Sequence, residues 1–233
     1  MREGRSSVIE ARMPILSTLI DAKRQTDAIV VIDAFRASNT IIELLARGAE
    51  RVVPVRDEDA ARHLKESHPD WLLLGERRGV RLAGFDGDNS PSNLPADVAG
   101  RVVILSTSNG TRIIDACLPE SDVLIGSFAN ATAVIAALRA TGWENPSFWA
   151  VGLIDGAYAE EDMLCARYLY GLFAGLTPDA AAFRDDVSKC SGASRLRGLN
   201  LEADLDLCTQ VDRTSIVPRR VAWENGLSCF RVG

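Results

Sequence analysis

No apolar run in this sequence approaches the ~20 residues that a membrane-spanning helix requires. The opening MREGRSSVIEARMP carries charges where the apolar core of a signal peptide would lie. There is no dense basic run, and 26 Lys and Arg against 32 Asp and Glu leave a net charge of −6. A nucleic-acid backbone wants clustered cations, so neither a membrane nor a nucleic-acid partner is expected, and a cytoplasmic location is. Cysteine is sparse: Cys117, Cys165, Cys190, Cys208 and Cys229 are scattered, odd in number and form no C-x-x-C pair. That pattern predicts free thiols rather than a disulfide frame or a zinc site. The chain has only two histidines, His63 and His68, which flank a polar stretch and a proline and read as surface residues. Several phosphate-handling motifs are missing as well. There is no Walker loop and no G-x-G-x-x-G. Asp33-Ala34-Phe35 lacks the second acid of an aspartyl-phosphate D-x-D, and Cys190 and Arg195 stand one residue too close for a C-x₅-R loop. With no internal repeat, low-complexity tract or linker, one domain over 1–233 is expected.

What is present is ordinary globular material, 47% hydrophobic and 25% charged. Apolar runs alternate with helical stretches. AIVVID (28–33) precedes IIELLARG, RVVPV (51–55) precedes EDAARHLKES, and WLLLGE (71–76) opens into a long irregular loop. RVVILS (101–106) precedes TRIIDACL, DVLIGS (122–127) precedes ATAVIAALRATG, and FWAVGL (148–153) precedes EEDMLCARYLYGLFAG. Continuous apolar runs suit strands buried on both faces, and βα alternation predicts an α/β fold with a largely parallel or mixed sheet. Farther on, LEADLDLC (201–208) reads as a short helix and SIVP (215–218) as a strand.

The chemistry gathers where strands end. After Ile32 comes Asp33-Ala34-Phe35-Arg36-Ala37-Ser38-Asn39-Thr40; after Leu105, Ser106-Thr107-Ser108-Asn109-Gly110-Thr111; after Ile125, Gly126-Ser127-Phe128-Ala129-Asn130. In an open α/β sheet such turns meet at the carboxyl ends of the strands, where ligands bind. The helix N-termini that follow offer free N–H groups and partial positive charge to an anion. Any one turn taken alone reads more readily as a plain helix cap; three together point to an anion site. Arg36 suits two-pronged binding of an oxyanion. Acids stand close by: Asp33, Glu76 at the end of WLLLGE, Asp86 in GFDGDNSP, and Glu161 and Asp162 in a helix's first turn. Carboxylates beside an anion site repel the anion unless a cation bridges them. Mg²⁺, commonly held by one or two carboxylates plus water and phosphate, meets that need.

The segments VVIDAFRASNTI, GERRGVRLAGFDGDNSP, LSTSNGT, IGSFAN, EEDMLCA and SGASRLRGLNLEADLDLC, followed by QVDRTSIVP, occur in order across most of the chain. Together they resemble the 2-phosphosulfolactate phosphatase (ComB-like) family. The resemblance implies a three-layer α/β/α fold and Mg²⁺-dependent hydrolysis of 2-phosphosulfolactate to sulfolactate and inorganic phosphate, on a route to coenzyme M. It implies a small anionic phosphorylated substrate; beside that partner, a homo-oligomer is left open. Carried over by motif, Asp33, Arg36 and Glu76 are the catalytic candidates, Asn89, Ser90, Thr107, Asn109 and Asn130 substrate-binding candidates, and Asp33, Glu76, Asp86, Glu161 and Asp162 the metal candidates. The strand-end turns add Ser38, Gly110 and Ser127 to the substrate-binding candidates. The sequence departs from the family's pattern at Ala34-Phe35, Ser38-Asn39, Arg78-Gly79 and Asp155. These positions flank the expected pocket and bear on which phosphorylated hydroxy acid is taken. Two alternatives stand beside this reading: a family member that binds anions without turnover, and an α/β lyase acting on a phosphorylated acid.

Overall fold

The computed structural model of the chain describes residues 15–16, 28–107, 111, 114, 115, 117, 121–152, 159–222 and 227–233. A ten-stranded mixed sheet is flanked by helices. In chain order the strands are β1 (Ile15–Leu16), β2 (Ala28–Ile32), β3 (Arg51–Pro54), β4 (Leu72–Arg77), β5 (Val80–Arg81), β6 (Val102–Ser106), β7 (Asp122–Ile125), β8 (Ser147–Ala150), β9 (Pro218–Ala222) and β10 (Ser228–Val232). The described α-helices are α1 (Ala37–Ala46), α2 (Glu58–Ser67), α3 (Ala131–Ala140), α4 (Glu160–Phe173), α5 (Ala180–Lys189), α6 (Ser191–Gly198) and α7 (Glu202–Cys208). No described helix is long and apolar enough to cross a membrane.

The sheet order is β1-β8-β2-β7-β9-β10-β3-β6-β4-β5. Its strands form two parallel blocks, β1-β8-β2-β7 and β3-β6-β4. Between them lies the antiparallel hairpin β9–β10, which pairs with β7 at Leu124↔Arg219 and with β3 at Phe230↔Val52. Followed through these antiparallel joints, the two blocks run in opposite senses. Strand twist of roughly 20–25° per step, over the five steps from β2 to β6, rotates one block by about 100–125° against the other. That rotation lets the carboxyl ends of both blocks converge. Asp33, after β2, and Thr107, after β6, line the same pocket.

Helix α1 fills the space the twist encloses. Ile41, Ile42, Leu44 and Leu45 share one apolar cluster with Ile29, Val31 and Ile125 of one block and Val52, Leu74 and Leu105 of the other. Each such side chain, taken out of water, contributes about 1.5–3 kcal/mol. A second cluster lies across the β2 block, where Val30, Ile32 and Phe148 pack on α3, α4 and α6. Alternate residues of β2 therefore feed opposite clusters, so a strand buried on both faces reads as an unbroken apolar run. The strand and helix readings for 28–106 and 122–173 correspond to described elements; of TRIIDACL (111–118), half lies outside the described residues. SIVP is a correction: the strand starts at Pro218 and runs to Ala222. Helices α5 and α6 and the central hairpin had no counterpart in the sequence reading.

Candidate active site

The Asp33 turn is built from its own side chains. The Asp33 N–H donates to Ser38 Oγ at 2.9 Å, and Asp33 Oδ1 accepts from the first helical N–H, that of Ala37, at 3.3 Å. Asn39 Nδ2 donates to the Ala34 carbonyl at 2.9 Å. The opening turn of α1, Ala37 to Thr40, is polar apart from Ala37 and wholly buried. Poor helix formers are tolerated there because each polar group finds a partner. The Phe35–Arg36 peptide bond is cis.

Asp33 lies within electrostatic reach of other acids. Burial, with the charges of Glu76 and Glu161, raises its pKa from 3.8 to about 6, against lowering by the Ala37 N–H and Arg195. Glu76, at the carboxyl end of β4, is 7% exposed, and its Oε2 accepts from the Gly79 N–H at 2.6 Å. Glu161 and Asp162, in the first turn of α4, are 2% and 3% exposed. Asp162 accepts from the Ala34 N–H at 2.7 Å and the Gly152 N–H at 3.0 Å, tying the β2 turn to the end of β8. Burial raises its pKa well above the ordinary range, reinforced by Asp33 and Glu161. The Glu161 carboxylate lies 3.6 Å from Cys190 Sγ and 3.6 Å from Arg195 Nη2. It also fills the space where a side chain of Gly192 would begin, since a Cβ there would meet Glu161 Oε1 at 2.2 Å.

Arg36 belongs to a different kind of arrangement. Its Nη1 lies 2.6 Å from Asp204 Oδ2, with the two side chains 3% and 0% exposed, and its Nη2 donates to the Gly79 carbonyl at 3.4 Å. The other Asp204 oxygen accepts from Ser90 Oγ at 2.7 Å, Ser92 Oγ at 2.6 Å and the Ser92 N–H at 3.1 Å. Asp204 thus fastens the guanidinium and the 90–92 loop to α7. Sequence reasoning missed Asp204. The available signal was an acid in LEADLDLC that shares the buried face of its helix with Leu205 and Cys208.

The remaining candidates divide. Thr107 and Ser38 line the Asp33 pocket, with Val31, Ile41, Leu105 and Ile125 as apolar walls. Asn89 is 4% exposed, and among the described residues its Oδ1 has no hydrogen-bond partner, as is also true of Asp88 Oδ1. Asp88 lies within electrostatic reach of Arg36 and Asp204. Asp86 is held elsewhere: it is exposed, pairs with Lys65 at 3.1 Å and accepts from the Leu73 N–H at 2.8 Å. Of the two acids in GFDGDNSP, the structure therefore sets Asp88, not Asp86, beside the Arg36 network. Ser127 and Asn130 act as a cap. Ser127 Oγ accepts from the Ala129 N–H at 3.2 Å, and Asn130 Oδ1 accepts from the Ser127 N–H at 3.0 Å. Ser127 Oγ also donates to Asn39 Oδ1 at 2.9 Å, joining this turn to the Asp33 turn. Asn109 and Gly110 lie outside the described residues. The five cysteines are free and buried, and burial raises Cys117 and Cys190 to about 11, which suits neither thiolate chemistry nor metal binding.

Among the described residues, no three His, Cys, Asp or Glu gather closely enough to hold a metal by themselves. The acids facing Asp33 still fit a cation that takes one or two carboxylates and fills its other positions with water and phosphate.

A family model described as 2-phosphosulpholactate phosphatase matches residues 15–222. Relatives named probable 2-phosphosulfolactate phosphatase include one from Clostridium tetani, 31% identical over 89% of this chain and 94% of the relative. One from Thermosynechococcus vestitus is 34% identical over 87% of this chain and 93% of the relative. One from Thermoplasma acidophilum is 32% identical over 82% and 85%, respectively.

Proposed function

The chain belongs to the 2-phosphosulfolactate phosphatase family, and from that premise we propose that it is a phosphoric monoester hydrolase acting on 2-phosphosulfolactate or a related phosphorylated hydroxy acid. The observation that carries the reading is Asp33, buried at a strand's carboxyl end, facing Glu76 and Glu161, and three residues from a buried arginine. Such a grouping disfavours an anion unless a cation joins it, and a phosphate ester with Mg²⁺ supplies both partners.

In this reading Asp33 and Glu76 hold Mg²⁺. The ion, when bound, offsets charge on the phosphoryl oxygens. The protein's own groups do the rest. Arg36, fixed through one nitrogen by Asp204, directs its guanidinium to the phosphoryl oxygens without having to be ordered during the reaction. Asp162 keeps the Asp33 and Gly152 turns at a fixed separation. The apolar wall of Val31, Ile41 and Ile125 limits water, so each charge interaction is stronger than at a surface. Water supplies the oxygen that ends on phosphorus and the proton that ends on the departing alkoxide, giving the hydroxy acid and inorganic phosphate.

The test is phosphate release from 2-phosphosulfolactate and a panel of phosphorylated hydroxy acids, with Mg²⁺ or with a chelator. We expect turnover that depends on Mg²⁺. Full turnover by metal-free protein would remove the metal from the mechanism. Tight binding of these esters with no phosphate released would favour the non-catalytic reading.

A further inference from the structure

We propose that Arg78 is a specificity-determining residue that binds a second anionic group of the substrate, a carboxylate or sulfonate beyond the phosphate. The proposal rests on the reading of the Asp33–Arg36 region as a phosphate-ester site.

Strands β4 and β5 pair at Arg77↔Val80, leaving Arg78 and Gly79 as a two-residue turn. Both have positive φ, 55° and 84°. Turns of this kind need φ > 0 at both central positions and favour Gly, Asn or Asp there. An arginine in the left-handed region carries a conformational cost that a glycine would not.

The tip of this hairpin is fixed to the site. The Gly79 N–H donates to Glu76 Oε2 at 2.6 Å, and the Gly79 carbonyl accepts from Arg36 Nη2 at 3.4 Å. Gly79 also lies against Leu199, whose Cδ1 is 2.5 Å from where a Cβ would stand. The Arg78 backbone is therefore one peptide unit from a group that binds Glu76 and one residue from a group that binds Arg36.

The hairpin's other two arginines hold it in place. Arg77 donates to the carbonyls of Glu76, Arg56 and Ser106 and to Ser106 Oγ. Arg81 donates to the Phe85 carbonyl. Among the described residues Arg78 forms no hydrogen bond or ion pair, and it is exposed. A cation in a strained backbone position, held at the rim of an anion site and not used by the fold, is matched by a ligand whose second negative group extends out of the pocket. A phosphate ester of a hydroxy acid with a carboxylate or sulfonate has that form.

The experiment compares two ligands that are not turned over, methylphosphonate and phosphonoacetate, which differ by one carboxylate. Each is titrated calorimetrically in Mg²⁺ into the unaltered protein and into Arg78→Gly, and thermal unfolding is recorded for both proteins. The unaltered protein should prefer phosphonoacetate, and Arg78→Gly should lower that preference about tenfold. Its unfolding temperature should hold or rise, because glycine adopts φ > 0 freely. Arg78→Lys should keep part of the preference. An equal preference in both proteins would overturn the proposal, as would equal losses for both ligands together with a lower unfolding temperature, which would show collapse of the hairpin. If the unaltered protein binds neither ligand, the phosphate-site reading fails, and this proposal with it.

Discussion

Two buried acids near Arg36 stand in opposite conditions. Asp204 is fully buried and meets a guanidinium and three loop donors. Asp33 is also buried, though less completely, accepts one N–H, and lies within electrostatic reach of Glu76 and Glu161. The first arrangement is complete without a ligand; the second is not. Burying a charge is tolerated only when it is compensated. Under the proposed function the contrast separates scaffold from site: the Arg36–Asp204 pair is compensated within the protein, and the Asp33 group is where a cation would bring compensation.

The largest effect should come from opening the completed network. Asp204→Ala would leave Arg36 buried without its counter-charge and should lower unfolding free energy by about 3–5 kcal/mol. Urea unfolding measures this, and a loss below about 1 kcal/mol would mean that the pair is not the scaffold. The incomplete group should instead show itself through pH. The Asp33 pKa is about 6 in the folded protein and 3.8 as the ordinary value. The folded state thus takes up a proton more readily, and metal-free stability should rise as pH falls from 7 through 6 toward 4. Asp33 alone contributes up to about 3 kcal/mol, and Asp162 acts in the same direction. Asp33→Asn should flatten the rise, and Mg²⁺ at pH 7 should replace part of it. Stability falling with acid over that window would contradict the idea of an uncompensated group.

Smaller effects sharpen the boundary. Arg36→Lys keeps the charge but loses the planar donor geometry that serves Asp204 and a phosphoryl group together. It should lower kcat/KM by at least about tenfold, equivalent to ~1.5 kcal/mol. Ser127→Ala removes a cap rather than a ligand contact and should lower stability by about 1 kcal/mol, a larger effect than it has on phosphate affinity in a calorimetric titration.

The legibility of the sequence followed the same division. β2, α1 and their neighbours could be read because continuous apolar runs and helical spacing are local signals. Asp33 and Glu76 were legible because each closes an apolar run. Asp204 was not, because its meaning lies in Arg36, Ser90 and Ser92, which only folding brings to it. Asp86 and Asp88 are two residues apart in one glycine-rich loop, and no local pattern tells which faces the arginine. The β9–β10 hairpin escaped for a similar reason: SIVPRRVA and SCFRV are short and mixed in polarity, and their central place depends on strands far away in the chain.

That hairpin also bears on the order in which the protein can be made. It follows every other described element in the chain, yet lies in the middle of the sheet, between β7 and β3. A chain growing from its N-terminus can form either parallel block, but has no strand pairing between them until the hairpin emerges. Until then, β7 and β3 expose open edges, a known hazard for pairing with other chains. The long-range pairings that close the sheet wait until residues 218–232 have been made, so nascent chains halted before Pro218 should be the species most in need of a chaperone.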